Sequence, residues 1–133
     1  MVILIGAEWR PRTYLRAQLV AQGHETFAVE SWDEAELLLR ARAVRPRVTV
    51  FDVVGEGNPE AALRTLARLL PPDAVIVLTS AVALPVEEVR ALGFGRVLAR
   101  PFAVADAVRA VEACLDARCR AGDQQSGADE ADR

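Results

Sequence analysis

Lysine is absent from this 133-residue sequence, and all 16 basic residues are arginine. An arginine at a given position therefore carries less functional information here than it usually would. The net charge of -3 lacks the basic excess typical of nucleic-acid-binding proteins, so we expect no nucleic-acid partner. No apolar run approaches the ~20 residues of a membrane span, and the N-terminus lacks the basic lead of a secretory signal. We expect a cytoplasmic protein without membrane contact.

Cysteine and histidine are scarce. Cys114 and Cys119 lie five residues apart in one predicted helix, so their side chains point in different directions and should not form a disulfide or bind metal. The only histidine, His24, lies in a turn before the second predicted strand, away from any candidate nucleophile. The sequence therefore shows no hydrolase or transferase constellation.

Five short apolar runs alternate with five helical patterns. Ser31 with Glu34 forms a capping box, and the pair Asn58-Pro59 is typical of a helix start. The predicted strands span residues 2–5, 26–29, 48–54, 74–80 and 96–99. The predicted helices span 11–22, 31–43, 59–70, 85–92 and 103–118. This alternation predicts an α/β fold with a doubly wound, five-stranded parallel sheet and helices on both faces.

From residue 121 the sequence reads AGDQQSGADEADR, which has little apolar content to bury. Such a composition does not repay the entropic cost of folding. We predict one domain at residues 1–120 and a disordered acidic tail at 121–133.

Polar side chains follow three of the predicted strands. Asp52 ends the third strand, Thr79 ends the fourth, and Arg100 follows the fifth. The carboxyl ends of parallel strands share one edge of the sheet, where functional groups collect. The tip of the first strand, Gly6-Ala7-Glu8, should lie at the same edge.

These segments resemble the receiver domain of two-component response regulators. The resemblance covers residues 2 to about 118 and rests on VTVFD with Asp52, VIVLTS with Thr79, ARPF in place of Lys-Pro-Phe, and the spacing of Gly23 from the first strand. It implies a flavodoxin-like fold with strand order 2-1-3-4-5, and a cis Arg100-Pro101 bond.

By this resemblance, Asp52 matches the aspartate that accepts a phosphoryl group from a histidine kinase in a phosphorelay. Thr79 matches the switch hydroxyl, and Arg100 takes the place of the family lysine. In the family, a magnesium ion is held by the acceptor aspartate and an acidic pair at the tip of the first strand.

The chain departs from the family at that acidic pair. Counting back seventeen residues from Gly23 places the pair on Gly6 and Ala7, which offer no oxygen ligands. Glu8 stands one position late, so Glu8 and Asp52 are the only weak metal candidates. The switch aromatic is replaced by Val97, and Glu56 stands where the family usually has proline.

We therefore interpret the chain as a degenerate receiver, or pseudo-receiver, without enzymatic activity. Asp52 and Arg100 should pair directly in the resting protein. No cofactor is expected, except Mg²⁺ if phosphotransfer is retained. The chain should then act as a phosphorylation-independent protein–protein interaction module, and the resemblance implies a partner surface formed by helix four, strand five and helix five. A homodimer is compatible with this reading.

Two alternatives remain open. One is a functional receiver that a histidine kinase phosphorylates on Asp52, with Glu8 as substitute ligand. The other is a flavodoxin-like small-ligand-binding domain, although the turn GAEWRP lacks the glycine-rich cradle of a nucleotide site. Trp9 could cap the emptied pocket or pack on the first helix.

Overall fold

The computed structural model describes residues 1–7 and 10–131, with side chains for 1–7 and 12–120. The strands are β1 (Val2–Ile5), β2 (Thr26–Val29), β3 (Val48–Asp52), β4 (Val75–Thr79) and β5 (Arg96–Ala99). The helices are α1 (Arg10–Ala21), α2 (Trp32–Arg40), α3 (Pro59–Leu69), α4 (Val86–Ala91) and α5 (Val104–Ala131). A short 3₁₀ turn at Pro72–Ala74, which the sequence analysis missed, precedes β4.

The five strands form one parallel sheet in the order β2-β1-β3-β4-β5, so the predicted fold and strand order are confirmed. All residues of β1, β3 and β4 are buried, as expected for strands that are covered on both faces. The Arg100-Pro101 peptide bond is cis, as the resemblance implied.

The core has two layers because successive side chains in a strand point to opposite faces of the sheet. On one face, Ile3 and Phe51 pack with residues of α2, α3 and α4. On the other face, Leu4 and Val50 pack with residues of α1 and α5. Trp32, the first residue of α2, stacks on Phe51 with ring centroids 5.6 Å apart.

The predicted helix starts of α2 and α3 are confirmed in detail. The Ser31 hydroxyl accepts a hydrogen bond from the Glu34 amide at 3.3 Å, and the Asn58 side chain accepts one from the Ala61 amide at 3.2 Å. Each cap satisfies an amide that the first helical turn leaves without a partner.

Strand β3 ends at Asp52, the residue expected at the end of the third strand, and the valines that follow it lie outside the strand. Asp52 Oδ1 accepts a hydrogen bond from the Val54 amide at 3.1 Å, and this local turn takes the chain out of the strand. The side chain at the centre of the candidate site thus also sets where its own strand stops.

Helix α5 differs from the expectation for the C-terminus. It continues to Ala131, into the segment that we predicted to be a disordered acidic tail. The segment extends a packed helix and contains alanine, glutamate and glutamine, which favour helical backbone. The division at residue 120 stays a prediction. No described helix is long and apolar enough to cross a membrane.

The two cysteines are free thiols in different environments. Cys114 is buried and its Sγ lies 3.4 Å from the Asp73 carbonyl oxygen, whereas Cys119 is exposed and accepts a hydrogen bond from Arg47 Nη2 at 3.0 Å. Burial raises the pKa of the Cys114 thiol. The buried thiol should therefore resist chemical modification.

We expect Ellman's reagent at neutral pH to modify one thiol per native molecule rapidly, and the second only as the protein unfolds. Cys119→Ser should abolish the rapid phase, and Cys114→Ser should leave it intact. Rapid modification of both thiols in the native protein would contradict the burial of Cys114.

Candidate functional site

The candidate site lies at the carboxyl edge of the sheet, where β1, β3, β4 and β5 end. Asp52 ends β3, next to Leu78 of β4 in the register of the sheet. Thr79 is the last residue of β4, and the Arg100 amide donates a hydrogen bond to its carbonyl oxygen at 2.9 Å. The structure therefore brings together Asp52, Thr79 and Arg100, as the strand ends predicted.

Asp52 and Arg100 form a two-pronged ion pair. Arg100 Nη2 lies 2.6 Å from Asp52 Oδ2, and Nη1 donates to Oδ1 at 3.2 Å. The Asp52 side chain is only 5% exposed, and that of Arg100 is 30% exposed. The predicted direct pairing is confirmed, in the parallel geometry that a guanidinium offers and an ammonium does not.

Other contacts hold Arg100 in this position. Its guanidinium lies over the Phe102 ring, 5.4 Å from the centroid, and Nη1 is 3.5 Å from the Thr79 carbonyl oxygen. A cation above an aromatic face is attracted by the electron density of the ring. These contacts with Phe102 and the Thr79 carbonyl oxygen orient the Arg100 guanidinium toward Asp52.

Gly6 packs directly against Asp52. Its φ of +151° lies in a region that favours glycine, and a Cβ placed on it would lie 3.0 Å from Asp52 Cβ. The Gly6 amide also donates a hydrogen bond to the Val29 carbonyl oxygen at 3.0 Å, which fixes this approach. The sequence analysis treated Gly6 only as a missing ligand, because the close approach joins two neighbouring strands that are far apart along the chain.

The described residues do not fit a magnesium ion. Ala7 is exposed and contributes no side-chain oxygen, and both carboxylate oxygens of Asp52 are bonded to Arg100. Within residues 1–7 and 12–120, no group of three or more metal-binding side chains occurs. A site for a hard divalent cation needs several oxygen ligands. Glu8, the substitute ligand of the alternative reading, lies outside the described residues, as does Trp9.

The Thr79 hydroxyl is fully buried and already bonded. It donates to the Leu84 carbonyl oxygen at 2.7 Å, which ties the end of β4 to the loop before α4. Val97 of β5 is half-buried and packs against the core on the α2–α4 face. Neither side chain is bonded to Asp52 in this arrangement.

Two residues that the sequence analysis did not assign also organise the site. Arg12 of α1 donates from Nη1 to the Gly6 carbonyl oxygen at 2.7 Å and lies 3.3 Å from that of Val29, joining the ends of β1 and β2. Glu56 accepts a hydrogen bond from the Trp32 amide at 3.1 Å, where a carboxylate favours the start of a helix. Glu56 was noted only as the replacement of a proline, and no pattern in the sequence indicated Arg12.

No protein-family model and no curated protein matches the chain. Solved structures are similar to it. The receiver domain of NtrX from Brucella abortus has 21% sequence identity and a TM-score of 0.70, over 87% of this chain and 98% of that one. A response regulator receiver protein from Sinorhizobium medicae has 20% identity and a TM-score of 0.70, over 88% and 94% of the two chains.

A protein described as adenylate cyclase from Rhodopirellula baltica has 19% identity and a TM-score of 0.75, over 94% of this chain and 93% of that one. At such low identity these likenesses show the fold alone. The chain therefore has the receiver fold, a flavodoxin-like α/β architecture, and its function must be argued from its own residues.

A double-mutant cycle of Asp52→Asn and Arg100→Ala should give a coupling free energy of about 1–3 kcal/mol, because the carboxylate is desolvated and held by two bonds. Urea unfolding at neutral pH measures it. The matched control is Glu60 and Arg64, an ion pair on α3 with side chains 48% and 59% exposed. Its coupling should be about 0.5 kcal/mol or less. Equal coupling in the two pairs would refute a special role for the buried one.

Gly6→Ala should lower the free energy of unfolding by about 1–3 kcal/mol, because the new methyl group meets Asp52 and the backbone conformation is unfavourable. Gly57→Ala is the control, since no atom lies within 4 Å of a Cβ placed at that residue. It should change stability by about 0.5 kcal/mol or less. If both variants are equally stable, Gly6 is not closely packed in solution.

Proposed function

We propose that this chain is a receiver-like signalling domain that lacks the metal-binding acidic pair and acts as a protein–protein interaction module independent of phosphorylation. The observation that carries the proposal is the ion pair between Asp52 and Arg100. It occupies the carboxylate to which a functional receiver would transfer a phosphoryl group. We propose no enzymatic activity for the chain.

The electrostatics of the site oppose phosphoryl transfer. A phosphoryl donor brings a charge of roughly -2 toward the buried carboxylate. Without an adjacent cation the two anions repel each other, and catalysis of this reaction consists mainly of positioning and charge neutralisation. Among the described residues, Arg100 is the cation bonded to Asp52, and its two bonds to the carboxylate hold the nucleophile in place.

The residues at the positions that would transmit phosphorylation, Thr79 and Val97, also support a single conformational state. The Thr79 hydroxyl is bonded to the Leu84 carbonyl oxygen, and Val97 is too small to act as a swinging aromatic side chain. A module with this arrangement presents the same surface at all times. Its binding is then controlled by the amounts of the two partners.

The partner surface in this proposal is formed by α4, β5 and α5. Arg90, Arg109 and Asp116 are exposed there and define its polar rim. Glu112, which the sequence analysis grouped with the α4–β5–α5 side, lies 3.9 Å from His24 of the turn before β2. We therefore assign Glu112 to the side of α5 that faces α1. The proposed ligand of the surface is another protein, or a second copy of the chain in a homodimer.

Incubation with a small phosphodonor such as acetyl phosphate, with millimolar Mg²⁺, should leave the intact mass of the protein unchanged. The reason is that the Asp52 side chain is only 5% exposed, both its oxygens are bonded to Arg100, and the residues whose side chains the structure describes form no cluster of metal ligands around it. A canonical receiver domain, treated in parallel, should gain one phosphoryl group and show that the donor is active.

Asp52→Asn is the matched control within the chain. A Mg²⁺-dependent phosphoryl adduct on the native chain that is lost in Asp52→Asn would contradict the proposal and favour a functional receiver. It would also favour the alternative in which Glu8 is the substitute metal ligand and a histidine kinase is the partner.

A further inference from the structure

Strand β2 is an edge of the sheet. It pairs with β1 on one side and is last in the strand order, so its other side pairs with no strand in the described part of the chain. Phe27 in its middle is 43% exposed, and Val20 of the neighbouring helix α1 is 52% exposed. An open edge with unpaired backbone groups beside exposed apolar side chains can accept a further strand.

A groove of about 490 Å³ runs between α1 and this edge. Its apolar lining includes Ala17 and Val20 of α1 and Phe27 and Ala28 of β2, and its charged lining is Arg12 and Arg16. Among the residues whose side chains the structure describes, no carboxylate lines it. The groove thus combines an apolar floor with a purely cationic wall, in a chain whose net charge is -3.

Arg12 and Arg16 differ in the contacts that their side chains make. Arg12 is fixed by the carbonyl oxygens of Gly6 and Val29 at the end of the sheet. Arg16 makes no hydrogen bond or ion pair with any residue whose side chain the structure describes. Glu25 and Glu30 flank β2 but do not line the groove. The side chains that the structure describes therefore leave the charge of Arg16 uncompensated on the α1 wall of the groove.

We propose that this groove binds an extended acidic segment of a partner protein, which adds to β2 as a further strand. Side chains of the segment that face α1 place carboxylates against Arg16 and Arg12, and the apolar side chains between them point to the other face of the sheet and pack on Phe27. Main-chain hydrogen bonds supply affinity in such strand addition, and the side-chain pockets supply specificity. This surface lies at the opposite edge of the sheet from β5. It does not depend on the state of Asp52, so it is tested separately from the proposed function.

The groove suits neither the chain's own C-terminal segment nor a second copy of the chain. Residues 121–133 are acidic but contain no apolar side chain larger than alanine, so they would leave Val20 and Phe27 uncovered. A second copy paired through β2 would bring its own α1 close to this one. Helix α1 contains three arginines and no acidic residue, so the two helices would repel each other.

The test uses a fluorescein-labelled peptide of alternating glutamate and valine with a central phenylalanine, measured by fluorescence anisotropy on the full chain. The peptide should bind, and amide NMR shifts should map to β2 and α1. The same peptide with lysine for glutamate should not bind. A peptide N-methylated at alternate backbone nitrogens should also lose binding, because it cannot pair with a strand.

Arg16→Glu should weaken binding of the acidic peptide about tenfold, because it replaces an attraction by a repulsion. Arg68→Glu on α3, which makes the same change at an exposed position outside both the groove and the proposed α4–β5–α5 surface, should have no effect. Circular dichroism verifies that both variants are folded.

Several results would overturn the inference. These are absence of binding up to about 1 mM peptide, equal affinity for the native chain and Arg16→Glu, or undiminished binding of the N-methylated peptide. A chain that sediments as a dimer and becomes monomeric in Val20→Glu would instead assign the edge to a second copy.

Discussion

The ion pair between Asp52 and Arg100 is the interaction on which the candidate site depends. It brings a nearly inaccessible carboxylate into contact with a guanidinium that is itself held by its loop, by the Phe102 ring and by the end of β4. A buried carboxylate without such a partner would be costly. Gly6 can approach Asp52 closely because it has no side chain that must be fitted beside the carboxylate.

In the function that we propose, the receiver fold is kept without phosphoryl transfer. The sheet still places an aspartate, a threonine and a cation at one edge, because the strand order and the lengths of the strands determine that placement. In this structure each of those groups is bonded to another of them or to the neighbouring loop. Thr79 is bonded to the following loop, and Asp52 to its counter-ion. A fold therefore positions functional groups without determining what they do.

The sequence was sufficient to predict what depends on local pattern. Alternating apolar runs and helix caps predicted the sheet, its helices and most of their ends. The absence of oxygen ligands at Gly6 and Ala7 predicted the pairing of Asp52 with Arg100. What it missed depends on contacts between distant segments: the packing of Gly6, the bond from Glu56 to α2, and the reach of Arg12 across two strand ends. The helix at the C-terminus was predicted, but its continuation beyond residue 120 was not, because composition alone does not reveal that a packed helix continues.

The most direct test of the central claim is an NMR titration of the full chain with Mg²⁺ up to millimolar concentrations, observing the Asp52 carboxyl carbon and the amides of β3. If Asp52 is fully engaged by Arg100, these signals should not change beyond the effect of ionic strength, and Asp52→Asn should behave in the same way. Saturable shifts of the Asp52 carboxyl carbon and of the β3 amides would contradict the account if the amide shifts are absent in Asp52→Asn. They would show that the carboxylate binds the cation.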